Sequence, residues 1–337
     1  MSADLEARYR RMLRWYPWEH RRAYEEEMLD TLLAGARPGQ RRPGPVDTVD
    51  LLLSAARHRV GLTARGLATA EWRDAAAATG VLGALLLVGL RLATAGRGYH
   101  LGGPAPEQWL RLLPWVLVAV AAATGLRWVA AGVAWLAVAG ETALLVTRYS
   151  DAPTSAVFTL WAFTLAVVTA VALTVPAPPR HGVAVLGVRR VALVTAGVLV
   201  AQLGSVAAAV VGGYGHLADG RVVVGPYFRP IDTASYLAGG LLIVLASWRL
   251  APPLRLRIIV LLAPVAATLA TAEYGFDGWR DSYVRIGYVP LAAAQWAILA
   301  LIPILAFALG VVLIRRHEQR TRLLALGRTA DRVTQVS

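Results

Sequence analysis

The sequence predicts an all-α protein, a polytopic membrane helix bundle of about eight spans behind a small N-terminal three-helix cytoplasmic domain. Three observations carry that prediction. Apolar residues make up 57% of the 337 residues and charged residues only 16%, where a soluble domain carries about 25%. The apolar residues gather into runs of near-membrane length. Summed over alternate loops, the arginines between those runs fall mostly on one side, the asymmetry that the positive-inside rule describes. The chain divides accordingly into a helical prefix domain at 1–74, a transmembrane domain at 75–314 and a basic cytoplasmic tail at 315–337.

Residues 4–16 read as the first helix, because Leu5, Tyr9, Met12, Leu13 and Tyr16 recur at helical spacing with arginines opposite. Pro17 restricts Tyr16 and breaks the chain there, then suits the first turn of a second helix over 18–35. In that helix Tyr24, Met28 and Leu32 form a stripe. Arg21–Glu25 and Arg22–Glu26 are opposite charges one turn apart, each pair worth a few tenths of a kcal/mol. Gly35 is the expected stop, and the loop at 36–45 holds two Arg-Pro-Gly turns. A third helix is expected from Pro45 to Leu67, with Val49, Leu52, Leu53, Ala56 and Val60 on one side. Three such amphipathic helices must bury their stripes against one another or against a partner. Tyr16, Trp18, Tyr24 and Met28 are the candidates for core or for partner surface, two roles that residue type alone does not separate. Glu25, Glu26 and Glu27 read as solvated surface.

The spans are expected near 75–95, 109–126, 128–146, 155–175, 191–213, 234–250, 255–272 and 291–314, the sixth and seventh being the shortest. Charge tests the count. With the prefix in the cytoplasm and strict alternation, the inner loops and tail hold 13 Arg against two acids. The outer loops hold six Arg against seven acids. That asymmetry favours eight spans with both termini cytoplasmic. No secretory signal peptide is expected, and no internal repeat is evident.

Composition excludes several chemistries. All 34 basic residues are Arg, so no lysine is present for a phosphate loop or a Schiff base. Cysteine is absent, which removes thiol nucleophiles and thiolate metal sites. Arg-only, Ala- and Gly-rich usage points to a high-GC, actinobacterial genome. The net charge of +13 lies mostly outside the prefix, where 13 Arg nearly balance 11 acids, so direct nucleic-acid binding is not expected. Neither HExxH nor GxSxG occurs, and the six histidines are scattered. The chain is therefore expected to be no enzyme and to need no cofactor or metal.

The candidate residues fall into three groups besides the prefix. Arg91 and Glu141 lie at one depth in their spans and are a candidate ion pair across helices, with Arg111 a rival partner; the alternative is that Arg91 snorkels to the outer headgroups and Glu141 is hydrated or protonated. Gln202 sits near the middle of the fifth span. Gly197, Ala201, Ser205, Ala209 and Gly213 recur there every four residues, a small-residue ridge that marks this span as the expected centre of the bundle. The loops 213–235 and 273–290 supply a candidate outer surface: His216, Asp219, Asp277, Trp279, Arg280 and Asp281. Asp219-Gly220 is a weak hairpin signal. The basic tail is expected to meet anionic lipid.

The segments YRRMLRWYP at 9–17 and RRAYEEEMLDTLL at 21–33 carry a family resemblance. Together they resemble the helical prefix domain that precedes the spans of some ABC-type permeases. They are also similar to the small HAAS-type cytoplasmic modules on multi-pass proteins of actinobacteria and firmicutes. The likeness covers about 60–70 of the 337 residues. It implies a cytoplasmic module that works with a soluble partner, in the second group a PadR-like transcription regulator.

The expected function is that of a non-enzymatic sensor or regulatory accessory in the bacterial plasma membrane, signalling through the prefix. Its expected partners are the lipid bilayer and a cytoplasmic protein, either a regulator or an ATPase. The alternative is the membrane subunit of a transporter whose ATPase is a separate chain. A membrane enzyme acting on lipid-linked substrates ranks below both.

Overall fold

The computed structural model describes residues 3–16, 18–36, 40, 43–44, 47–51, 54, 69–100, 106–151, 153–211, 215–216, 222–223, 228–248, 250–276, 278–280, 282, 287 and 290–336. Among these the fold is all-helical apart from one two-residue strand pair. The chain separates into two compact units, Met1–Ala70 and Glu71–Ser337.

The first unit begins with α1 (Ala3–Leu13) and α2 (Trp18–Ala34). Asp4 and Glu6 in the first turn of α1 and Arg10 and Arg11 in its last complement the helix dipole. The stripe Leu5, Tyr9, Leu13 is buried together with Tyr16, Leu29 and Leu51, and Met28 and Leu32 pack against them. Leu51 belongs to a helical stretch described at 47–51 and again at Ser54, where the sequence predicts the third helix. Most of the rest of that helix, to Leu67, lies outside the described residues. The Tyr9 hydroxyl donates to Asp47 Oδ2 at 3.4 Å. Burial, then the Asp47 carboxylate, holds its phenol above the ordinary value. Glu26 pairs across to Arg10, at 3.1 Å, and Arg10 also meets Glu6 at 3.2 Å. Both pairs are exposed and contribute little to stability.

The second unit runs through α3 (Ala70–His100), α4 (Pro106–Thr124), α5 (Arg127–Asp151), α6 (Pro153–Phe158), α7 (Leu160–Thr174), α8 (His181–Leu186) and α9 (Val188–Val211). It continues with α10 (Phe228–Trp248), α11 (Pro252–Ala270) and α12 (Ala293–Val336). Between α9 and α10 the strands β1 (Gly215–His216) and β2 (Val222–Val223) pair antiparallel; Asp219-Gly220, between them in sequence, lies outside the described residues. A π-turn, Thr271–Gly275, extends α11.

Among the described residues four helices are long and apolar enough to cross a membrane: Ala70–Gly96, Arg127–Tyr149, Pro252–Gly275 and Ala293–Thr321. Gln108–Thr124, Leu160–Thr174 and Ala238–Trp248 are shorter apolar helices. The second unit also turns large apolar side chains outward. Leu136 and Trp128 are each 74% exposed, and Val188, Leu110 and Val200 are similarly bare. Apolar surface on that scale suits a hydrocarbon solvent and is a liability in water. These features are compatible with a membrane protein.

Among the described residues α3 is the most buried of the membrane-length helices, whereas α9, the expected centre, has most of its described side chains half-buried or exposed. The apolar window of α3 is 72% buried, against 28%, 33% and 17% for the other three membrane-length helices. The physical reason is its run of small residues. Ala75 to Ala78 are all buried. A Cβ at Gly83 would strike Thr169, and one at Gly80 would lie 2.8 Å from Leu173. Glycine there lets α7 approach backbone to backbone. On α9, the ridge member Gly197 does receive Leu242 of α10 at 2.6 Å from an added Cβ, but Ala201 is only half-buried. The backbones of Ser205 and Ala209 are helical; their side chains, and all of Gly213, lie outside the described residues.

A tight turn joins α4 to α5 and makes them antiparallel. Gly125 sits at φ +96, and an added Cβ would come within 3.2 Å of the Arg180 nitrogen, so both conformation and space call for glycine. Arg127 then donates to the Leu173 and Ala172 carbonyls at 3.0 and 2.9 Å, capping the end of α7.

Candidate functional site

A charged side chain buried in a helix bundle costs several kcal/mol unless it is paired and hydrogen-bonded. Among the described residues of the second unit two clusters meet that condition, and α3 contributes to both.

The first cluster joins α3, α4 and α5. Arg91 Nη2 lies 2.7 Å from Glu141 Oε1. Arg111 grips the same carboxylate with Nε at 3.2 Å from Oε1 and Nη2 at 2.7 Å from Oε2. The side chains of Arg91, Arg111 and Glu141 are only 4%, 12% and 7% exposed. The candidate pair and its rival are present together, as one cluster of two arginines on one carboxylate. Arg91 Nε is buried without a hydrogen-bond partner. Beside it is a void of about 10 Å³, lined by the three residues and by Arg148, Thr159 and Phe163. That is about the space of one water molecule.

The second cluster joins α3, α11 and α12. Arg257 Nη2 lies 2.9 Å from Glu71 Oε2 and 2.6 Å from Glu318 Oε1. Its Nη1 donates to the Pro253 carbonyl at 3.1 Å, and its guanidinium lies 5.6 Å from the Trp72 ring centroid. One turn along α3, Asp74 meets His181 Nε2 at 2.6 Å. None of these residues stood out in the sequence, where they read as ordinary charges at the ends of spans.

Helix geometry sets the distance between the clusters. Glu71 and Arg91 are twenty residues apart on one helix, which at 1.5 Å per residue is about 30 Å. The hydrocarbon core of a bilayer is also about 30 Å thick. The clusters therefore mark the two ends of a membrane-length segment.

The other candidates are dispersed. Gln202 is half-buried, and its Cγ would lie 3.3 Å from a Cβ added to Gly89, so its stem packs on α3. Trp279 is buried at 8% exposure with Val157, Phe276, Leu291 and Leu299 rather than displayed as outer surface. Its ring meets Phe276 edge-on at 6.3 Å. The apolar bulk of the indole explains the correction: it folds back on the bundle. Arg280 is half-buried with its guanidinium 5.1 Å from the Phe158 ring. His216 is seen as backbone only, and Asp219, Asp277 and Asp281 lie outside the described residues. In the first unit Tyr16 is core at 3% exposure, Met28 is half-buried and Tyr24 is 50% exposed. The backbone of Trp18 opens α2; its side chain lies outside the described residues. Tyr16, Tyr24, Glu27, Met28, Leu32 and Leu51 line a shallow groove of about 450 Å³.

Among the described residues no group of three or more His, Asp or Glu is placed to hold a metal ion. The two clusters order helices and hold charge; their guanidiniums are donors only and present no nucleophile. Comparison with known proteins finds no matching family, no matching curated protein and no matching solved structure.

Proposed function

We propose that the chain is an eight-span protein of a bacterial plasma membrane, with both termini cytoplasmic, that acts as a non-enzymatic sensor or regulatory accessory through its N-terminal unit. One observation supports this most. The N-terminal residues form a compact unit with its own buried core, and beside that core is an open groove edged by the exposed ring of Tyr24. An exposed aromatic at a groove is a common anchor for a protein partner. The likeness of 9–17 and 21–33 to prefix and HAAS-type modules points the same way. The summed arginine excess of the inner loops and tail, 13 Arg against two acids, over the outer loops, six Arg against seven acids, supports the topology.

The test is site-specific photo-crosslinking in the full chain. A photoreactive phenylalanine analogue replaces Tyr24 in cells of the native host. The reading predicts one discrete adduct with a soluble cytoplasmic protein, absent when the analogue replaces the exposed Arg14 in the turn after α1. An adduct with an ATPase subunit would instead make the chain a transporter component. No adduct at Tyr24 would remove the support for signalling through this unit.

A further inference from the structure

We propose that the groove between α4 and α5 binds an anionic phospholipid, with its phosphate against Arg111 and one acyl chain along the apolar floor. This inference needs the second unit to lie in a membrane but does not depend on the regulatory reading.

The groove holds about 760 Å³ and is lined by Leu110, Leu113 and Leu117 of α4, with Leu136, Gly140 and Leu144 on the α5 side. Nothing lies within 4 Å of a Cβ added to Gly140, so the absent side chain leaves the floor open. The groove is apolar along its length and ends at Arg111 and Glu141. That is the polarity of a lipid: one charged end and a long apolar body.

Charge selects an anionic headgroup. Glu141 is shared between Arg91 and Arg111, so a single carboxylate faces two guanidiniums. Arg148 lines the void behind them. A guanidinium has five N–H donors, and Glu141 takes the Nε and Nη2 side of Arg111. The remaining side of Arg111 can donate to a phosphate oxygen, the acceptor that its planar fork suits best. A zwitterionic headgroup brings a cation into the same crowded positive field and gains less.

The experiment uses the purified full chain in detergent, with native mass spectrometry as the readout. Dioleoyl phosphatidylglycerol and dioleoyl phosphatidylcholine are titrated in parallel. Phosphatidylglycerol is expected to bind about fivefold more tightly, the preference that one extra arginine contact confers. Gly140→Leu keeps every charge and fills the groove, and should abolish binding of both lipids at this site. Arg111→Gln leaves the neutral Arg91–Glu141 pair and should bring the two lipids to parity. Equal binding of both lipids by the unaltered chain would overturn the proposal. So would unchanged phosphatidylglycerol binding in both variants. Displacement of the lipid by inorganic phosphate alone would identify a free-anion site instead. A dimer mass lost on Gly140→Leu would assign the groove to a second copy.

Discussion

The two charge clusters use the same side chains in opposite proportion and in different surroundings. At one end of α3, two arginines share Glu141, and all three side chains are nearly sealed. At the other end one arginine, 4% exposed, serves Glu71 and Glu318, whose side chains are 58% and 35% exposed. The difference teaches where each cluster is fragile. In the sealed cluster, loss of the shared carboxylate strands two cations away from water. In the open cluster, loss of the arginine leaves two carboxylates that water can still reach.

That contrast yields graded expectations, each read as thermal or denaturant stability of the full chain in detergent. Glu141→Gln has the largest effect, about 3–5 kcal/mol, because it leaves buried guanidiniums uncompensated. Arg111→Gln should cost clearly less, since Arg91 keeps its carboxylate; equal costs would break the shared-carboxylate account. Gly83→Ala comes next, at about 1–3 kcal/mol, because its methyl meets Thr169 and pushes apart α3 and α7, the frame that spaces the clusters. The control Gly132→Ala, with nothing within 4 Å of the new Cβ, should be neutral or mildly stabilising. Arg257→Gln should cost about 1–2 kcal/mol, the worth of charge-assisted bonds to groups that water can resolvate. Glu71→Gln, at a carboxylate 58% exposed, should fall within about 1 kcal/mol. A cost for Glu71→Gln near that of Glu141→Gln would erase the distinction between the two ends.

Hydropathy made the helices readable. Each of the eight apolar runs contains helix, though 155–175 divides at Thr159 into α6 and α7, and 255–272 ends in a π-turn. Arg91 and Glu141 stood out because each is the lone charge in an apolar run. That Arg111 joins them depends on the rotation of α4 about its axis, which no linear pattern carries. The Arg257 cluster was hidden for the opposite reason: Glu71, Arg257 and Glu318 lie at span ends, where charges are ordinary. The most buried of the membrane-length helices did leave a signal, in Gly80, Gly83 and Gly89 beside a run of four alanines. In a chain with 31 Gly, spacing alone favoured the regular ridge on α9 over the irregular one on α3 that is in close contact.

In the proposed topology α3 spans the bilayer, and the two clusters belong to opposite faces. Because the chain has no cysteine, single cysteines report cleanly. Pro178, between α7 and α8, and Gly278, beyond the π-turn, are both exposed. In intact cells, a membrane-impermeant maleimide should label Gly278→Cys and spare Pro178→Cys until the membrane is opened. Labelling of both variants, or of Pro178→Cys alone, in sealed cells would contradict the eight-span topology and the placement of the clusters with it.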